Sequence, residues 1–168
     1  KLCRAYRRQH GCDFISAMPT NLYGPGDNYD LEKSHVIPAM LRKMHEARAG
    51  GADHVTLWDS GTPRREFLHV DDLADALLFL MANYGGESHV NVGVGYDLTI
   101  RELAEMVRDV VGFRGELIFD RSKPDGTPRK LVDTTLINSL GWHAKINLKQ
   151  GLEEAYSWYL ENLDSARI

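Results

Sequence analysis

The sequence predicts an α/β domain in which part of the sheet is parallel. Three observations carry that prediction. Short apolar runs alternate with longer stretches whose apolar residues recur at helical spacing, the pattern of strand and helix units following one another. Gly11, Gly112 and Gly141 stand where helical stretches stop. A chain of 168 residues with 43% apolar and 26% charged side chains can fill one core and keep a solvated surface.

Residues 1–10 read as the second half of a helix, so the chain is expected to begin inside an element. Cys12 to Met18 is expected to be a buried strand closing into the turn Pro19-Thr-Asn-Leu-Tyr-Gly-Pro-Gly26. Ser34 to Ala47 reads as a helix with Ser34 as its cap and Pro38 in its first turn. His54 to Trp58 and Glu66 to Val70 are short strands, and Asp71 to Tyr84 is an apolar-rich helix. Asp71 and Asp72 suit a helix start better than a metal, since no further ligand set accompanies them, and no metal site is expected. His89 to Gly93 is a strand. Thr99 and Glu102 form a capping box ahead of Ile100, Leu103, Val107 and Val110 at helical spacing. Gly115 to Asp120 is a strand, Asp133 to Leu140 a short helix, and Leu148 to Leu163 a final amphipathic helix. With no repeat and no low-complexity linker, residues 1–168 read as one unit, too short for a full doubly wound dinucleotide fold plus a second lobe.

A formal net charge of -4 gives no general attraction to nucleic acid or to an anionic membrane, so a positive site must be a local cluster suited to a small anionic ligand. Cys3 and Cys12 have neither the number of a disulfide framework nor zinc-site spacing, which fits a reducing cytoplasm. No apolar run approaches the ~20 residues that cross a bilayer.

Four segments are candidates for chemistry. The Pro19 to Gly26 segment lies at a strand's carboxyl end, where open α/β sheets bind ligands, although turns of this composition are common. His35 stands at a helix start, where the dipole favours anions; a surface histidine is the plainer reading of it alone. Arg42 and Lys43 follow roughly 12 Å further along that helix, a span suited to a sugar at one end and a diphosphate at the other. Arg64 and Arg65 enter a strand pointing to opposite faces, so one can reach a ligand while the other meets solvent or a carboxylate, and Trp58 is placed to stack on a base or flank a sugar. Finally, Lys123-Pro-Asp-Gly-Thr-Pro-Arg-Lys130 is a stiff turn in which Arg129 and Lys130 can close on phosphates and Asp125 can accept from ribose hydroxyls. The sequence contains neither a Gly-rich phosphate loop after a first strand nor a Tyr-x-x-x-Lys pair in a suitable helix.

In this order, Pro-Thr-Asn-Leu-Tyr-Gly-Pro, Ser-His-Val-Ile-Pro-Ala, Arg-Glu-Phe-Leu-His-Val-Asp-Asp, Asn-Val-Gly and Thr-Ile-Arg-Glu-Leu resemble the extended short-chain dehydrogenases that act on sugar nucleotides. Ser-His-Val-Ile-Pro together with Lys-Pro-Asp-Gly-Thr-Pro-Arg-Lys resembles the GDP-fucose synthases in particular. The resemblance implies a carboxyl-terminal part of such an enzyme: residues 1–30 and about 66–95 would be remnants of a Rossmann-type sheet that binds NADP(H), and about 31–65 and 96–168 would be mostly the smaller substrate lobe. It implies that Pro19, Thr20, Asn21 and Leu22 border the nicotinamide and that His35, beside the cofactor, is the acid that reprotonates an enolate. Lys43, Trp58, Arg65, Asp125 and Lys130 are implied to hold the GDP-sugar. A homodimer through the helix ending at residue 10 is implied too. In the family the Gly-rich loop, the catalytic cysteine and the Tyr-x-x-x-Lys pair precede the residues matched here, so this chain alone is expected to be inactive. Two other readings stand beside this one: part of a different nucleotide-sugar epimerase or dehydratase, and a non-catalytic nucleotide-sugar-binding module.

Overall fold

In the computed structural model, residues 1–163 are described. The first helix, α1 (Leu2–His10), ends at Gly11 in the left-handed conformation, φ 66. Two three-residue strands follow, β1 (Ala17–Pro19) and β2 (Asn21–Tyr23), then α2 (Val36–Ala49), β3 (His54–Trp58), β4 (Arg64–Arg65) and β5 (Phe67–His69). After α3 (Val70–Asn83) and β6 (Val90–Val92), β7 (Leu98–Thr99) leads into α4 (Ile100–Val111). The chain continues through β8 (Glu116–Asp120), β9 (Arg129–Lys130), α5 (Thr135–Ser139) and α6 (Leu148–Glu161). The expected capping box is present: the Thr99 hydroxyl accepts from the Glu102 N–H while Glu102 accepts from the Thr99 N–H at 2.7 Å.

Parallel pairing dominates: β1 with β6, β2 with β5, β3 with β8 and β4 with β9, while β4 also pairs antiparallel with β7. The strand expected over Cys12 to Met18 is confined to its end, and the expected Pro19 to Gly26 turn holds a second strand. The reason lies in Pro19, which has no N–H and closes β1. The Thr20 N–H still reaches the Val92 carbonyl of β6, at 3.0 Å, while the Thr20 hydroxyl and the Asn21 amide donate to the Glu66 carbonyl at 3.2 and 2.8 Å. Within these two residues the chain exchanges β6 for β5 as its neighbour. At Gly24 a Cβ would lie 2.7 Å from Val70 Cγ1, so only glycine lets this segment pass the start of α3.

Two apolar clusters fill the interior. One joins α2, α4 and α6 to β3, with Leu41, Met44, Leu103 and Leu152 buried; in it Tyr29 stacks on Tyr159 at 4.5 Å and donates to the Ala155 carbonyl. The other joins β1, β6, α3 and α5 through Leu80, Val90, Val92 and Ile137, with Trp142 donating to Asp75. Asp72 does more than complement a helix dipole: buried, it accepts the N–H groups of Lys145 and Ile146 and ties α3 to the segment before α6. Among the described residues, no helix is long and apolar enough to cross a membrane.

Glu66, between β4 and β5, is wholly buried, and its carboxylate accepts three backbone donors: Val94 and Gly95 on Oε1 at 2.7 and 2.8 Å, and Val132 on Oε2 at 3.0 Å. Glu66→Ala leaves those N–H groups without acceptors inside the protein and is expected to cost about 3 kcal/mol or more, read as a lower urea midpoint with an unchanged slope. Glu66→Gln keeps one acceptor but turns an NH₂ toward one of the two sets of donors, and its midpoint should lie between the two.

Candidate functional site

Helix α2 sets the position of His35. Its N-cap is His35, in extended conformation, and not Ser34 as the sequence suggested. No side chain caps the helix, and the Ser34 hydroxyl is buried without a hydrogen-bond partner among the described residues. His35 is therefore the last residue before the first free N–H groups of α2, exposed at the mouth of a cavity of about 510 Å³. Thr20, Asn21, Leu22, Asp59 and Arg65 also line it, and Val36, Ile37, Phe67 and Ile100 give it apolar walls. A smaller recess of about 240 Å³ along Leu22 to Asp27 meets the same imidazole. Because the Thr20 and Asn21 side chains are turned onto the Glu66 carbonyl, that stretch is a fixed wall of the cavity. Pro19 lies outside the lining.

The two arginines of β4 separate as their alternation requires. Arg64 donates through Nε to Asp97 Oδ1 at 2.8 Å and through a terminal nitrogen to the Asp97 carbonyl at 2.9 Å. Arg65 turns the other way, into the cavity, with one nitrogen held by the Arg64 carbonyl at 2.8 Å. Lys130 is the register partner of Arg65 on β9, so the two cations leave adjacent strands side by side. Arg129 does not face a ligand: it joins Arg64 on Asp97, whose side chain is 3% exposed. First the Arg129 hydrogen bond and then that of Arg64 hold the Asp97 carboxyl well below the usual carboxylate range.

Trp58, at the end of β3, is 62% exposed, with two ammonium groups near its ring: Lys43 Nζ of α2 at 5.4 Å and Lys123 Nζ at 5.6 Å from the centroid. Partial burial lowers the pKa of Lys43 below that of an ordinary lysine. Arg42, its neighbour, is engaged by Glu46 and the Tyr29 carbonyl. Asp125, expected to be open to a ligand, already accepts the Ser60 N–H at 2.8 Å and the Ser60 hydroxyl at 3.0 Å, tying the 123–130 turn to the loop after Trp58. Gly126, at φ 67, completes that turn beside the Arg65 guanidinium.

Of the residues singled out in the sequence, Thr20, Asn21, Leu22, His35 and Arg65 share the cavity. Lys43 and Trp58 form a neighbouring cation and ring cluster, Lys130 is beside Arg65 in register, and Asp125 braces the turn between them. Sequence reasoning missed Asp59, Asp97 and the role of Lys123. Asp97 had a legible signal in the paired arginines, which need a carboxylate on their solvent side; an aspartate before Ser60-Gly61 gives no such signal.

The family model described as NAD dependent epimerase/dehydratase family matches residues 1–93. The chain belongs to that family. It is 61% identical over 167 residues to a probable GDP-L-fucose synthase 1 of Oryza sativa subsp. japonica, covering 99% of this chain and 51% of the relative. It is 53% identical over 176 residues to the GDP-L-fucose synthase of Escherichia coli (strain K12), covering 99% and 55%. The crystal structure of a GDP-L-fucose synthetase from Naegleria fowleri bound to NADP superposes with a TM-score of 0.94 at 32% identity, covering 99% of this chain and 54% of that one. This chain thus spans about half the length of the relatives it matches, and its α/β fold is theirs.

The Asp97 geometry generates a test. Its depressed folded pKa makes the carboxylate stabilising at and above the ordinary carboxylate range, and that stability is lost as pH falls through the folded value, below about pH 4. Asp97→Asn should therefore be less stable than the parent at neutral pH and lose less on acidification, so that the two urea midpoints converge toward low pH.

Proposed function

We propose that this chain supplies the GDP-sugar-binding part of an NADPH-dependent enzyme that epimerises GDP-4-keto-6-deoxymannose at C3 and C5 and reduces it at C4, giving GDP-L-fucose. The observation that carries this reading is the arrangement of His35 and Arg65 on one cavity, with Lys130 beside Arg65 and the Lys43, Trp58 and Lys123 cluster next to it. The similarity to plant and bacterial GDP-L-fucose synthases supports the same substrate.

In this reading Arg65, Lys43 and Lys130 hold the diphosphate, and Trp58 lies along the nucleoside. Asp125 fixes its turn against Ser60 and, in this reading, also accepts from a ribose hydroxyl. His35, in free contact with the cavity, returns a proton to the enolate formed beside the 4-keto group, and the open N–H groups of α2 favour that anion. Pro19 to Leu22 border the nicotinamide end of the cofactor, a role suited to a wall whose side-chain donors are committed elsewhere; NADPH, when bound, supplies the hydride for C4. Residues 1–30 and about 66–95 belong to the cofactor-binding sheet, and about 31–65 and 96–163 mostly to the substrate lobe; the last five residues of that expected lobe, 164–168, lie outside the described residues. Leu2 and Tyr6, exposed on α1, belong to a two-fold dimer contact, and the protein works in the cytoplasm.

Titration calorimetry with GDP, UDP and dTDP tests the reading. GDP should bind at least about tenfold more tightly than the other two, a difference of about 1.4 kcal/mol. Trp58→Ala and Lys43→Ala should each weaken GDP about tenfold, whereas His35→Asn should leave it unchanged. Equal affinity for the three nucleotides contradicts the proposal.

A further inference from the structure

Asp59 is the one described non-glycine residue with positive φ, at 80°. A left-handed conformation is costly for a side chain, less so for aspartate than for most, and residues held in it cluster at functional sites. Here it aims a carboxylate into the His35 and Arg65 cavity. One oxygen, Oδ1, is fixed by the Gly61 N–H at 2.6 Å; the other accepts no hydrogen bond from the described residues. Arg65 lines the same cavity, yet the two make no ion pair among the described residues, so the guanidinium and the free oxygen both remain for a ligand. Burial, opposed by the Gly61 hydrogen bond and by Arg65 and reinforced by Asp125 nearby, raises the Asp59 pKa.

A carboxylate accepts from hydroxyls and repels phosphate. Trp58 and the lysines beside it lie outside the cavity lining, whereas Asp59 shares the lining with His35. From this we infer that Asp59 is a specificity-determining residue that accepts a hydrogen bond from a ring hydroxyl of the hexose in a bound nucleotide sugar. The inference rests on the reading of the cavity as a nucleotide-sugar site and adds the residue that distinguishes the sugar from the nucleotide alone.

The test compares GDP with GDP-mannose on the full chain and on its Asp59→Gly and Asp59→Asn variants, with Tm as the folding control. Glycine adopts φ 80 freely, so Asp59→Gly should keep or raise Tm. It should lose about tenfold in affinity for GDP-mannose while GDP changes by less than about twofold, as loss of one charge-assisted hydrogen bond predicts. Asp59→Asn, which retains an oxygen for Gly61 but carries no charge, should fall between. If the unsubstituted chain binds neither ligand, the nucleotide-sugar reading fails and this inference with it. If it binds both and Asp59→Gly matches it, only the inference fails. An equal loss for GDP and GDP-mannose also overturns it, because the contact would then be to the nucleotide, and a lower Tm for Asp59→Gly would make Asp59 a brace of its loop.

Discussion

The buried carboxylate of Glu66 is the constraint on which the rest of this site depends. Its side chain gathers Val94, Gly95 and Val132, and its carbonyl gathers Thr20 and Asn21, so three separate stretches of chain meet at one residue. Glu66 stands directly after Arg65. Whatever fixes Glu66 therefore aims Arg65 into the cavity, and whatever fixes Val132 carries Lys130 to its side two residues earlier. At Gly93 a Cβ would lie 2.3 Å from Glu66 Oε1, so the glycine after β6 is what lets the carboxylate reach its donors. A buried acid is costly unless every lone pair is used, and such a network tolerates few alternative arrangements. Precision at the site thus comes from backbone amides and not from the exposed cations themselves.

Charge is then divided between structure and ligand. Asp97 takes Arg64 and Arg129, locking β4 between β7 and β9, and leaves Arg65 and Lys130 on those strands with no ion pair among the described residues. Glu46 takes Arg42 and leaves Lys43 to the face of Trp58. In the pairs Arg64 and Arg65, Arg129 and Lys130, and Arg42 and Lys43, the fold consumes one cation and the other has no ion pair among the described residues. An acidic chain can present positive potential to a small anion on these terms, because that potential is local and is kept from collapsing onto nearby carboxylates.

Much of this was legible in the residues. The capping box at Thr99, the stop at Gly112 and the strand from His54 to Trp58 follow from local rules that tertiary structure had no reason to override. The alternation of Arg64 and Arg65 put the two guanidiniums on opposite faces, one of them toward a carboxylate, as the structure has them. Other features depend on partners far away in sequence. The exchange of neighbours at Thr20 requires the Glu66 carbonyl 46 positions on, and Asp72 finds its donors 73 and 74 positions away. Pro19 to Gly26 looked like a turn because its composition is that of one. The left-handed Asp59 has no sequence signal at all, since aspartate before serine and glycine is ordinary in a loop.

The proposed function requires one ligand to touch the imidazole, the guanidinium and the indole together. Two-dimensional ¹H–¹⁵N NMR with a GDP-sugar measures this directly, through the ring nitrogens of His35, Nε–H of Arg65 and Nε1–H of Trp58. All three signals are expected to shift along a single saturation curve, and a Trp58 response that saturates while His35 and Arg65 stay unmoved would show that no one ligand spans them.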